Sequence, residues 1–143
     1  MMDKNKLIIA DADILISLVY ESDVNHRMIV NLMQKIVISN YIVQFPNTAI
    51  LETITALKGT LNKPDLSELI NTNYQNDFFG IIYINDKIQK RASVIFDDLI
   101  SKQNTIFDAI VIATAEIHKA NAIFSMDKVY KKYFPLAQDL VNN

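Results

Sequence analysis

The feature that most constrains this chain is a rhythm in its apolar residues. Short unbroken apolar runs, several of them stopped by an acid or a helix-starting residue, alternate with segments of helical periodicity about ten residues long or more. Lys6–Ala10 is one such run and ends at Asp11. A short run with no polar alternation is the pattern of a strand buried on both faces, as in a parallel sheet. Tyr41–Phe45, Ile81–Ile84 and Ala122–Ser125 read as further strands, and the tail Leu136–Val141 as a possible edge strand. Between them lie helical stretches. Ile14–Glu21 follows Asp13 as a cap, and His26–Ser39 carries Met28, Ile29, Leu32, Met33 and Ile36 at helical spacing. A helix from Pro46-Asn47 to Leu57 has the stripe Ile50, Ile54, Leu57, with Gly59 as its stop, and Pro64-Asp65 opens another toward Tyr74. Asn85 or Asp86 caps a helix to Ile100, Phe107–Lys119 forms the next, and Lys128–Tyr133 makes a short helical turn. Strands alternating with helices of this length predict a three-layer α/β/α sandwich around a mainly parallel sheet of four or five strands.

Two glycines and three prolines in 143 residues are too few for a turn-rich β-sandwich or a low-complexity chain. With 50% apolar and 21% charged residues the chain can bury a core, and its length suits one domain over residues 1–143. The absence of cysteine excludes disulfides, thiolate zinc sites and cysteine nucleophiles, and suits a reducing compartment. A net charge of −2 predicts no long-range attraction to nucleic acid or membrane, so any polyanion must be held locally. The first residues, Met1-Met2-Asp3-Lys4-Asn5-Lys6, lead into only four apolar positions, too few for a signal peptide. No apolar stretch approaches the ~20 residues that span a bilayer. The expectation is a cytoplasmic protein without membrane contact.

In parallel α/β sheets ligands bind beyond the carboxyl ends of the strands, and the acids of this chain fall there. Asp11 and Asp13 follow the first strand, Asp108 lies in the first turn of the helix at Phe107, and Asp127 comes two residues after the strand Ala122–Ser125. Glu52 sits between core-facing Ile50 and Ile54, with no basic residue four positions away on either side. Singly, each aspartate before a helix is most often a cap or a dipole partner. Together they form a crowd of like charges, which a hard divalent cation with oxygen ligands and water would relieve. Such a cation lowers the pKa of water and offsets charge on a phosphodiester under in-line attack.

The same residues match a family pattern. Ile8-Ile9-Ala10-Asp11-Ala12-Asp13-Ile14-Leu15-Ile16 resembles the opening strand and first acid of PIN-domain nucleases. Phe45-Pro46 through Leu51-Glu52-Thr53-Ile54 resembles their second motif. Phe107-Asp108-Ala109-Ile110-Val111-Ile112-Ala113-Thr114-Ala115 is very similar to the third, and Phe124-Ser125-Met126-Asp127-Lys128 to the fourth. In order and length the chain is similar to VapC-type toxin ribonucleases of type II toxin–antitoxin pairs. The resemblance implies a Mg²⁺- or Mn²⁺-dependent endoribonuclease leaving a 5′-phosphate and a 3′-hydroxyl, acting as a homodimer inhibited by a small antitoxin. Carried over by position, it makes Asp11 and Asp108 the principal metal ligands and Glu52 a ligand or the group that orients the attacking water. Asp127 completes the acidic set, with Ser125 behind it. The chain departs from the family in Ala12, where a hydroxyl residue is usual, and in Asp13, which adds an acid where Asn or Ser is common.

Other residues carry less. Lys128, Lys131 and Lys132 beside Asp127 could touch an RNA backbone or form a solvated face. His26 and His118 read as surface or packing residues, and Arg27 and Arg91 are too few to suggest a phosphate clamp. The segment Ile14–Tyr20, apolar nearly all round, predicts a face for a partner subunit. Two other functions fit less well. In a haloacid-dehalogenase-like phosphatase Asp11 would be the nucleophile and Asp13 the acid, but no strand-ending Ser/Thr with a following lysine motif is present. A catalytically idle RNA- or protein-binding domain would not need the full set of acids.

Overall fold

The computed structural model describes residues 6–142. The reading of residues 1–5 as lacking a signal peptide therefore lies outside the described residues. Lys6–Ala10 (β1), Tyr41–Pro46 (β2), Ile81–Ile82 (β3) and Ala122–Phe124 (β4) pair in parallel in the order β3–β2–β1–β4. Ile8 stands opposite Val43 on one side and Ala122 on the other, so β1 is flanked on both edges as well as on both faces. This is why the run carries no polar residue after Lys6. The helices are Ala12–Val19 (α1), His26–Ile38 (α2), Asn47–Lys58 (α3), Pro64–Gln75 (α4), Asp86–Asp98 (α5), Ile106–Ile117 (α6) and Ala137–Val141 (α7). A 3₁₀ turn covers Lys128–Lys132.

Strand alternation divides the core in two. Ile8, Ala10, Ala122 and Phe124 face α1, α2, α3, α4 and α7. Ile9 and Ile123 face α5 and α6 on the other side. The result is the expected three-layer sandwich. Helix α6 is buried at every position from Ala109 to Ala115, where small residues let it lie close to the sheet while α5 covers its outer side. Among the described residues no helix is long and apolar enough to cross a membrane.

Several boundaries differ from the sequence reading, each for a local reason. Helix α1 starts directly after β1, and its cap is Asp11, not Asp13: the Asp11 side chain accepts a 2.7 Å hydrogen bond from the Ala12 amide. Asp13 falls inside the first turn. The chain after Leu136 is not an edge strand. Leu136 makes one bridge to Ile123, and then α7 begins. Pro135 accepts from the Ile123 amide but has no N–H of its own to extend a ladder, and beyond it Leu136 packs into the α5–α6 layer while Leu140 packs on the other face of the sheet. Helix α1 finds apolar cover from α2 and α3 within the chain itself.

With glycine so scarce, the left-handed positions after helices fall to other residues: Asn40, Asn62, Asp77 and Lys119 all have positive φ. Gly59 does not, so the turn after α3 is made at Asn62 instead. Asparagine and aspartate tolerate this region, whereas lysine gains nothing there. At Lys119, φ is 54° and the Ala120 amide closes back onto the Ala115 carbonyl. Replacing Lys119 with glycine should therefore stabilise the protein by about 1 kcal/mol, seen as a rise in Tm of roughly 3 °C in thermal denaturation. An unchanged or lower Tm would contradict this account of the turn.

Candidate functional site

The sheet order places its switch point between β1 and β4, where the chain leaves in opposite directions and a crevice opens beyond the strand ends. Asp11 stands at its floor. It is 8% exposed, with Oδ1 held by the Ala12 amide and Oδ2 accepting a 2.6 Å hydrogen bond from the Tyr130 hydroxyl. Asp108 approaches from α6. Thr105 and Asp108 form a reciprocal cap: the Thr105 amide donates to Asp108 Oδ2 at 2.8 Å, and the Asp108 amide donates to Thr105 Oγ1. That cap turns Asp108 Oδ1 toward the crevice, 3.3 Å from the same Tyr130 hydroxyl. Asp11, just past β1, and Asp108 of α6 thus share one phenol.

Glu52 reaches in from α3, half-buried, and its Oε1 has no hydrogen-bond partner. Asp13 closes the side nearest β4. Its Oδ2 accepts from Ser125 Oγ at 3.0 Å and from the Met126 amide at 2.8 Å, while its Oδ1 is buried without a partner. Ser125 is fully buried and its Oγ accepts from the Asp127 amide. Asp127 itself is exposed at the rim, where its Oδ1 caps the 3₁₀ turn by accepting from the Val129 amide.

Burial and mutual repulsion raise the proton affinity of Asp11, Asp13, Glu52 and Asp108. Asp11 is pushed up to about 7, first by burial, then by the neighbouring charges of Asp13 and Asp108, against the opposing bonds from Tyr130 and Ala12. Glu52 is pushed up to about 8 by burial and by the charges of Asp11, Asp108 and Asp13. Asp13 and Asp108 are raised as well, again chiefly by burial. Neither of the two ion pairs among the described residues involves any of these acids: Lys90 pairs with Asp86, and Arg91 with Glu116.

An all-oxygen cluster with two orphaned buried carboxylate oxygens and no basic neighbour fits a hard divalent cation. Among the described residues no three ligating side chains are drawn tightly around one point.

The structure therefore brings Asp11, Glu52, Asp108 and Asp13 into one charged neighbourhood, with Ser125 beneath it and Asp127 at its edge. Lys128, Lys131 and Lys132 point to solvent next to Asp127. His26 is occupied elsewhere, its Nδ1 2.6 Å from the Ser17 carbonyl. Tyr130 is the site residue that sequence reasoning missed. Its one signal is weak: it is the lone aromatic at the centre of a lysine-rich turn, so it must point inward while Lys131 and Lys132 point out.

Comparison with known proteins agrees with this fold. The family model of the PIN domain matches residues 8–134. No curated protein matches the chain in sequence. Among solved structures, Mycobacterium tuberculosis VapC20, a sarcin–ricin-loop-cleaving toxin, is similar with a TM-score of 0.73 at 13% identity, over 87% of this chain and 93% of that one. VapBC2 of Rickettsia felis, bound to a DNA fragment from its promoter, gives a TM-score of 0.62 at 12% identity, over 91% and 96%. A toxin–antitoxin complex from Klebsiella pneumoniae gives 0.56 at 17% identity, over 86% and 89%.

The raised carboxylates have a consequence for stability. Each holds its proton more tightly in the folded chain than in the unfolded one, so the unfolded state is favoured as pH rises from the ordinary carboxylate range through the folded values. In the presence of a chelator, Tm should fall between pH 5 and pH 8. Glu52→Gln should flatten that fall and raise Tm at pH 8 by a few degrees, read by calorimetry across the pH range. A Tm that climbs over this interval in wild type would contradict the assignment.

Proposed function

Since the chain belongs to the PIN-domain family, we propose that it is a divalent-cation-dependent endoribonuclease and the toxin of a toxin–antitoxin pair. The observation that carries the reading is the crowd of buried acids with no basic partner and two unsatisfied oxygens, an arrangement that is costly unless a cation completes it. Asp11 and Asp108 would hold Mg²⁺ or Mn²⁺. When bound, the ion would acidify water and offset charge on the scissile phosphate.

The chain's own groups divide the remaining work. Glu52, with a free Oε1 facing the same neighbourhood, is suited to orient the attacking water and accept its proton. Asp127, at the rim, would complete the acidic set, while Ser125 and Asp13 hold the loop that carries it. Lys128, Lys131 and Lys132 would steady the RNA backbone, each contact adding to the salt dependence of binding. Hydrolysis would leave a 5′-phosphate and a 3′-hydroxyl. The similarity to VapBC assemblies supports a small antitoxin as partner, and we extend the reading to a homodimer in the cytoplasm, built on the single domain 1–143.

The test is cleavage of structured RNA by wild type and by Asp108→Asn, each with Mn²⁺ and with a chelator. Cleavage should require the cation and fall by at least roughly 100-fold in the variant, the scale of losing one group that stabilises transition-state charge. Equal cleavage by the two proteins would leave Asp108 without a catalytic part, and no cleavage by either would favour an idle binding domain.

A further inference from the structure

Tyr130 lies on the core side of the 3₁₀ turn and has no exposed surface. Its ring packs in the layer built by α5 and α6, a place a phenylalanine would fill equally well. The hydroxyl is therefore the informative atom. A buried phenol needs an acceptor, and this one takes two carboxylates: Asp11 Oδ2 at 2.6 Å and Asp108 Oδ1 at 3.3 Å. One proton serves both, strongly toward Asp11 and weakly toward Asp108. The two oxygens are consequently no farther apart than the sum of those distances.

We propose that Tyr130 is a positioning residue that presets the Asp11–Asp108 pair for a divalent cation by holding both carboxylates through its hydroxyl. This rests on the cation reading above. Asp11 is gripped at both oxygens, by the Ala12 amide on Oδ1 and by Tyr130 on Oδ2, so rotating the carboxylate would break both bonds. Each carboxylate oxygen has two lone pairs, which leaves one on each for a metal. The donor is also neutral. A lysine or arginine in its place would satisfy the acids and remove their need for a cation, whereas the phenol eases the repulsion and leaves the negative charge intact. Asp127 belongs to the same device, since its side chain caps the turn that delivers Tyr130 inward.

The test is Mn²⁺ binding to the cation-stripped full chain, measured by calorimetry for wild type, Tyr130→Phe and Asp108→Asn. Donors that orient ligating groups typically contribute 10–100-fold to metal affinity. Tyr130→Phe should bind Mn²⁺ weaker by about that factor, with an unchanged circular dichroism spectrum. Equal or tighter binding by Tyr130→Phe, with weakened binding by Asp108→Asn, overturns this proposal alone. A wild-type protein that takes up no Mn²⁺ overturns the cation reading and this one together. A second measurement on wild type stands independently of whether the variant folds. The Tyr130 hydroxyl proton should appear in the NMR spectrum as a slowly exchanging signal and persist when Mg²⁺ is added. Exchange as fast as that of a solvent-exposed phenol, or loss of the signal on adding Mg²⁺, overturns the proposal.

Discussion

Like charges held where water barely reaches are the constraint on which the rest of this structure turns. Strand β1 is enclosed on both edges and both faces, so the first residue that leaves it has little solvent to enter, and that residue is Asp11. Helix α6 is just as deeply enclosed and begins with Asp108 in its first turn. Helix α3 contributes Glu52 from a position between two core-facing turns. None of these placements is an accident of a flexible loop. Each acid is carried by an element whose own packing fixes it, so the repulsion among them cannot be relieved by moving away.

The chain manages that repulsion with donors and without cations. Asp11 is met by an amide and a phenol, Asp108 by the Thr105 amide and the same phenol, and Asp13 by an amide and the Ser125 hydroxyl. The formal positive charges stay outside. Arg91 is spent on Glu116, Lys90 on Asp86, and the three lysines after Asp127 face solvent. The compensation is incomplete, since one oxygen of Asp13 and one of Glu52 remain unmet. A fold that only needed stability would gain by neutralising such a group with a basic side chain. Leaving it short of positive charge makes sense where charge is supplied from solution.

Much of this was readable in the residues. The order of strands and helices follows from apolar runs and helical stripes, because enclosure on both faces removes polar alternation from β1 and small apolar residues let α6 bury fully. The acids were readable too, since strand ends in a parallel sheet point to one crevice. The misreadings came where two residues could do the same local job. Asp11 and Asp13 are both able to cap α1; the helix began at once after the strand, which gave the cap to Asp11. The tail after Pro135 has apolar residues at both ends like a short edge strand, yet Pro135 has no N–H to extend a ladder, and after one bridge at Leu136 the chain turns into α7. Tyr130 was beyond sequence reasoning because its part depends on a contact 119 residues away, with Asp11.

Asp13 shows how an added acid can serve a site through the bonds that one of its oxygens makes. Its Oδ2 ties the first turn of α1 to the loop after β4 through Ser125 and Met126, and Ser125 in turn receives the Asp127 amide. The two edges of the crevice are thereby joined across 112 residues of sequence. An asparagine there could accept the same bonds through its carbonyl oxygen, but it would add no negative charge to the field at Asp11. The carboxylate does both, adding negative charge beside Asp11 while locking the loop that carries Asp127 and, three residues on, the inward-facing Tyr130. Of the two positions where this chain departs from the family pattern, Asp13 is thus the one that couples the rim of the site to its floor.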